Sequence, residues 1–149
     1  MTEKDIIEFV TGLPGVVVFT AGPDTAAPEV AWGDTFVYYA PDGKVPERQQ
    51  PFATIVTKDY PGFDTASDLN RPEVFRLNVV AGRAMFERLL GYPPAAHAEH
   101  HAGIDYTVTD RVLPHPVYAV QGWISILNPG EQARPLLTDA HARAAARHR

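Results

Sequence analysis

His97-Ala98-Glu99-His100-His101, followed by Asp105, is the densest run of potential metal ligands in the chain. If the run is helical, His97 and His101 stand one turn apart on one face, the spacing two imidazoles need to share a cation. The order is H-A-E-H-H rather than the H-E-x-x-H of a zincin helix, and the run follows Pro93-Pro94 with no apolar stripe of its own. A solvated turn therefore competes with a metal site whose candidate ligands are His97, His101 and Asp105. A second set comprises Trp32, Asp34, Tyr39, Arg76, Asn78, His115 and Trp123, scattered in sequence but falling on strands or strand ends. Polar groups beside aromatics are what a small-molecule pocket requires, and ordinary sheet edges contain them too. His115 lies between Pro114 and Pro116, which fixes its orientation as a general base would need. No nucleophile accompanies it, since neither Ser67 nor Ser125 lies in a G-x-S-x-G context.

The segment 59–72 offers Asp59, Asp64, Asp68 and Asn70, all hard oxygen donors. Calcium loops alternate their acids around a central glycine, whereas these acids stand four or five apart. The better reading is an Ω-like loop, pinned by Tyr60 and Phe63, that covers one end of the sheet. Other chemistries are excluded directly. The chain has no cysteine, so disulfides, thiolate metal sites and cysteine nucleophiles are absent. Neither G-x-x-x-x-G-K-[ST] nor G-x-G-x-x-G occurs, and Gly12-Leu13-Pro14-Gly15 places a proline where a phosphate cradle needs an N–H. No cofactor is expected.

The formal net charge is −5, with eleven acids against four bases in residues 1–70 and seven against nine thereafter. The only basic concentration is the tail, Arg143, Arg147 and Arg149 with His141 and His148, which complements a helix C-terminus. Nucleic-acid binding is therefore disfavoured. Residues 1–5 lack the basic start and apolar core of a signal peptide, and no apolar run approaches the ~20 residues of a membrane span. A cytoplasmic protein with no membrane association is the expectation.

The elements that would position these residues follow from periodicity. Thr2 with Asp5 resembles a capping box, and Ile6, Phe9, Val10 and Leu13 recur at helical spacing until Pro14-Gly15. Val16–Phe19 reads as a short strand, whose apolar edge would suit a homodimer or a covering loop. Strands are expected over 30–39, 52–57, 74–80 and 122–127, with Pro41-Asp42-Gly43 turning a hairpin and 106–113 at an edge. In 74–80 the alternation reads as a strand covered mainly on one face. Helices are expected over 81–90, closed by Gly91, and from about Gln132 or Pro135 into the tail, with a histidine-bearing helical turn in 95–102. At 149 residues, 45% hydrophobic and 21% charged, the chain suits one domain with a core of its own. The expectation is a single α+β domain over 1–149: an antiparallel sheet of about five or six strands, with N-terminal, middle and C-terminal helices packed on it.

Trp32-Gly33-Asp34-Thr35-Phe36, Asp59-Tyr60-Pro61-Gly62-Phe63-Asp64 and Leu90-Gly91-Tyr92-Pro93-Pro94 resemble an uncharacterised actinobacterial family of unknown function, nearly throughout the chain. More distantly, the strand–helix order and Gly122-Trp123-Ile124-Ser125-Ile126 resemble the YjbR/MmcQ-like group of small α+β proteins. The resemblance implies the fold and, by fold analogy, DNA binding; the acidic balance and only three lysines depart from that. It supplies no catalytic residues. The reading reached is a non-enzymatic module binding a small molecule or a protein. A metal-assisted or histidine-dependent enzyme is the alternative, and DNA binding the second.

Overall fold

The computed structural model describes residues 1–148; Arg149 of the basic tail lies outside them. Among these residues there are four α-helices and six strands in one open antiparallel sheet. In chain order they are α1 (Glu3–Thr11), β1 (Val16–Thr20), β2 (Thr35–Tyr39), β3 (Ala53–Val56), β4 (Arg76–Val80), α2 (Gly82–Leu90), α3 (His97–His100), β5 (Leu113–Pro114), β6 (Trp123–Leu127) and α4 (Ala133–Arg147). The sheet order is β1-β2-β3-β4-β6-β5. This is the α+β architecture the periodicity called for.

Local chemistry explains the ends. Thr2 and Asp5 form the reciprocal capping box, at 2.9 and 3.1 Å, and start α1. Gly91 closes α2 in the left-handed region at φ 85°. Gly122, at φ 87°, lets β6 start against α2: an added Cβ would stand 3.4 Å from the Cα of Gly82. Its carbonyl accepts the N–H groups of Ala81 and Gly82. That crossing holds the beginning of β6, and with it Trp123.

Alternation then splits the sheet into two unlike faces. Val37, Ala53, Ile55, Leu77, Val79, Ile124 and Ile126 form one core with Ile6 and Val10 of α1, Phe86 of α2, and Leu136, Leu137 and Ala140 of α4. The opposite face carries Thr54, Val56, Arg76, Asn78, Trp123, Ser125 and Leu127 on the central strands. It has its own smaller apolar cluster: Val56, Leu69, Leu113 and Leu127, with Tyr60 and Ile104 against it. Two loops supply this second cover, 57–75 and 104–122.

Several boundaries differ from expectation. A 3-10 turn occupies Glu29–Ala31, so β2 begins at Thr35 rather than Val30. Residues 106–113 are mostly turns; Asp105 folds onto Thr107, Asp110 takes φ 56°, and only Leu113–Pro114 pairs as a strand, with Thr109 bridging to Leu127. β4 is buried on both faces, because the loops lie over the side expected to be open. Tyr60 of the 59–72 loop is half-buried, whereas Phe63, also expected to pin that loop, is 58% exposed. No helix among the described residues is long and apolar enough to cross a membrane.

Candidate functional site

The loop-covered face holds a buried polar network centred on Arg76. Thr54, Asn78 and Ser125 are register partners on three adjacent strands, one row across the sheet. Asn78 donates to the Thr54 hydroxyl at 2.9 Å and accepts from the Ser125 hydroxyl at 2.8 Å. Arg76, two residues along β4 and 1% exposed, donates Nε–H to the Asn78 amide oxygen at 2.8 Å. Its fork grips the Asp64 carboxylate at both oxygens, 3.1 and 2.5 Å, and Nη1 also donates to the Ser67 hydroxyl at 2.8 Å. A guanidinium here without such a partner would be severely destabilising, so the 59–72 loop must lie down on the sheet. Paired backbone bonds between Tyr60 and Asp64 shape it, and Asp59 accepts from the Leu69 N–H across its neck.

The network floors a cavity of about 360 Å³. Its walls include Trp123, Tyr118, Phe63, Phe36 and Tyr60, with Gln50 and Gln121 at the rim. Phe63 and Tyr118, from the two covering loops, approach to 6.1 Å between ring centroids. A shallower groove beside Met1 and Asn128 is larger, about 540 Å³, but none of the buried polar side chains lines it. Volume alone does not make a recognition site; convergent, fixed polar atoms do.

His115 supplies such an atom. It is 3% exposed, and its backbone N–H donates to the Trp123 carbonyl at 3.1 Å. Its Nδ1 accepts the backbone N–H groups of Val117 and Tyr118, each at 3.0 Å. Two donors aimed at Nδ1 place the proton on Nε2 and keep the ring neutral. Burial, then the nearby Arg76 charge, pushes the imidazole down to about 3, with Asp64 opposing. Nε2–H has no acceptor among the described residues. No fully shielded side-chain polar atom among them lacks a partner, so Nε2 opens onto accessible space, and the cavity is what His115 lines. Such a ring donates a hydrogen bond near neutral pH. The general-base role read from its proline flanks is not available to it, because the basic lone pair is occupied.

Arg76, Asn78, His115 and Trp123 thus meet at one cavity. Asp34 stands one link away: buried, it accepts from the Thr57 N–H and the Tyr60 hydroxyl and pairs with Lys58 at 3.6 Å, anchoring the root of the loop. Burial and this hydrogen bond raise the Tyr60 phenol well above its usual range. Trp32 and Tyr39 do not join. The Trp32 indole donates to the Ala27 carbonyl, and Tyr39 shares the helix-side face with Val37, beside His141. The residues that sequence reasoning missed here are Asp64 and Ser67 as partners of Arg76, and Thr54, Ser125, Tyr118 and Phe36.

His97 and His101 do share a face, but a phenol lies between them. Tyr106 Oη is 3.3 Å from His97 Nε2 and 2.8 Å from His101 Nδ1, while Tyr92 Oη is 3.1 Å from His97 Nδ1. His100 stacks on Tyr92, centroids 3.9 Å apart. Burial, then His101 and His100, lowers the His97 imidazole, and burial first pushes Tyr106 up to about 12. Asp105 accepts from Thr107 at 2.6 and 2.9 Å instead of joining the pair. Among the described residues no three His, Asp or Glu side chains converge as a metal would need. The three histidine rings pack with Tyr92 and Tyr106.

Fold and site together define an α+β protein with helices on one sheet face and a loop-roofed polar cavity on the other. The chain belongs to DUF6194, a family of unknown function, which it matches over residues 1–149. No curated protein and no solved structure matches it.

Proposed function

We propose that this chain is a binding module, and that the cavity opposite the helices receives one small molecule. The observation that carries this reading is the fixed, neutral His115 ring, whose Nε2–H opens onto an aromatic-walled cavity without a protein acceptor. That N–H stays open to the cavity, where a ligand oxygen or nitrogen accepts its hydrogen bond. The Arg76 network favours the same reading: four of the guanidinium's five N–H donors are held rigidly, so the floor is organised before anything binds. A histidine-dependent enzyme would need a free imidazole lone pair at this point, and His115 has committed its own. DNA binding would need a basic face, and the cavity walls offer one guanidinium already paired with Asp64.

The test uses benzyl alcohol as a small uncharged aromatic probe, followed by amide chemical shifts of the labelled protein. Saturable shifts are expected at Thr54, Asn78, His115 and Trp123. Gln121→Trp, a change at the exposed rim, is expected to weaken them at least fivefold by closing the mouth. Shifts confined to the groove beside Met1 and Asn128 would end the proposal.

A further inference from the structure

From the same cavity we infer the chemical class of the ligand: an uncharged, planar molecule bearing a carbonyl or ring-nitrogen acceptor, directed at His115 Nε2. This rests on the binding reading above and extends it to charge, shape and hydrogen-bond polarity.

Charge comes first. Among the described residues the ionisable wall groups besides tyrosines are Arg76, Asp64 and His115. Arg76 and Asp64 neutralise one another through a two-point contact, and the two backbone donors on Nδ1 keep His115 neutral. An anion would meet a guanidinium whose charge is already neutralised by a carboxylate 2.5 Å away, and would stand close to that buried carboxylate itself. A cation would enter beside a guanidinium and two outward-facing N–H donors. Aromatic walls attract cations, yet the Lys58 ammonium already lies 5.8 Å from the Tyr60 ring centroid. Both signs of charge are disfavoured.

Hydrogen-bond polarity follows from which valences are spent. Asn78 Oδ1 accepts from both Arg76 and Ser125, and Asp64 accepts at both oxygens. Three donors of the floor and wall stay open: His115 Nε2–H, the second N–H of Arg76 Nη2, and the Thr54 O–H, whose oxygen accepts from Asn78. None of these has an acceptor among the described residues on the cavity side. A ligand seated on these three donors must accept. Its shape is set by Trp123, Tyr118 and Phe63, whose tilted rings, 6.1 to 6.4 Å apart between centroids, pack into one aromatic wall against which a flat group can lay its face.

Three near-isosteric probes separate the terms: benzamide, benzoate and benzamidinium, titrated at pH 7 into wild-type protein and His115→Asn. Asparagine keeps an oxygen where Nδ1 accepts the Val117 and Tyr118 N–H groups, but withdraws the donor from the cavity. Benzamide is expected to bind at least tenfold tighter than either ion, and to lose about tenfold in the variant, as one hydrogen bond implies. In wild type, the His115 Nε2 nitrogen resonance is expected to move with benzamide, a readout that holds even where the variant fails to fold. Preference for benzoate or benzamidinium overturns the inference, as does an Nε2 resonance that stays still while benzamide saturates. Binding of benzyl alcohol without binding of benzamide overturns it while leaving the cavity a ligand site. Absence of binding by all four probes overturns both.

Discussion

Asp64→Asn is expected to destabilise the protein by about 3–5 kcal/mol, far more than an ordinary surface change, because it strands the Arg76 charge in a buried site. At this chain length that is a fall in Tm of roughly 10 °C. The magnitude reflects geometry: Arg76 is 1% exposed and Asp64 8%, so solvent does not replace the lost partner. Arg76→Met is expected to cost a similar amount by stranding the carboxylate. The double replacement Arg76→Met with Asp64→Asn removes both charges and is expected to be less damaging than either single change. Urea unfolding of the four proteins checks it. Single costs that simply add in the double variant would show that the pair does not hold the 59–72 loop to the sheet.

The second large effect is on pH dependence. In the unfolded chain the His115 imidazole titrates near its ordinary value of about 6.5, whereas in the native protein it titrates at about 3. Between those values the unfolded state binds a proton that the native state does not, so stability rises with pH across the window. The contribution is complete above about pH 6.5 and is lost as pH falls through the window towards 3. Between pH 7 and pH 4 this one residue should cost about 3 kcal/mol. Denaturation profiles of wild type and His115→Asn share every carboxylate, so their difference isolates the ring. The two curves are expected to converge by that amount on acidification. Parallel curves would mean that His115 accepts a proton in the folded state without penalty.

The fold was legible because its signals are local. Alternating β-branched and aromatic residues marked the strands, and the capping box and Gly91 marked helix ends, each within a few residues. The shortness of β5 was harder to read: Pro116 follows it closely on one side, and the Asp105 and Asp110 turns precede it on the other. The site was half legible. Arg76, Asn78, His115 and Trp123 stood out as polar or aromatic groups on strands. Asp64 and Ser67 did not, because their role exists only once a loop folds over β4. A charged residue amid a strand that reads Arg76-Leu77-Asn78-Val79-Val80 was the one available hint that a carboxylate must come to it. Tyr39 was misplaced by parity: it alternates with Phe36 and shares the helix side with Val37. The His97–His101 spacing was read correctly as one face, but nothing local revealed that the Tyr106 hydroxyl would stand between the two rings.

A crystal of the wild-type protein soaked in benzamide tests most directly where and how this chain binds. The expected density places the ring against the wall formed by Trp123 and Tyr118, with the amide oxygen about 2.9 Å from His115 Nε2 and the Arg76–Asp64 contact intact. Benzamide lodged elsewhere, or seated in the cavity with its oxygen turned from Nε2 and its nitrogen bound to Asp64, would contradict the account.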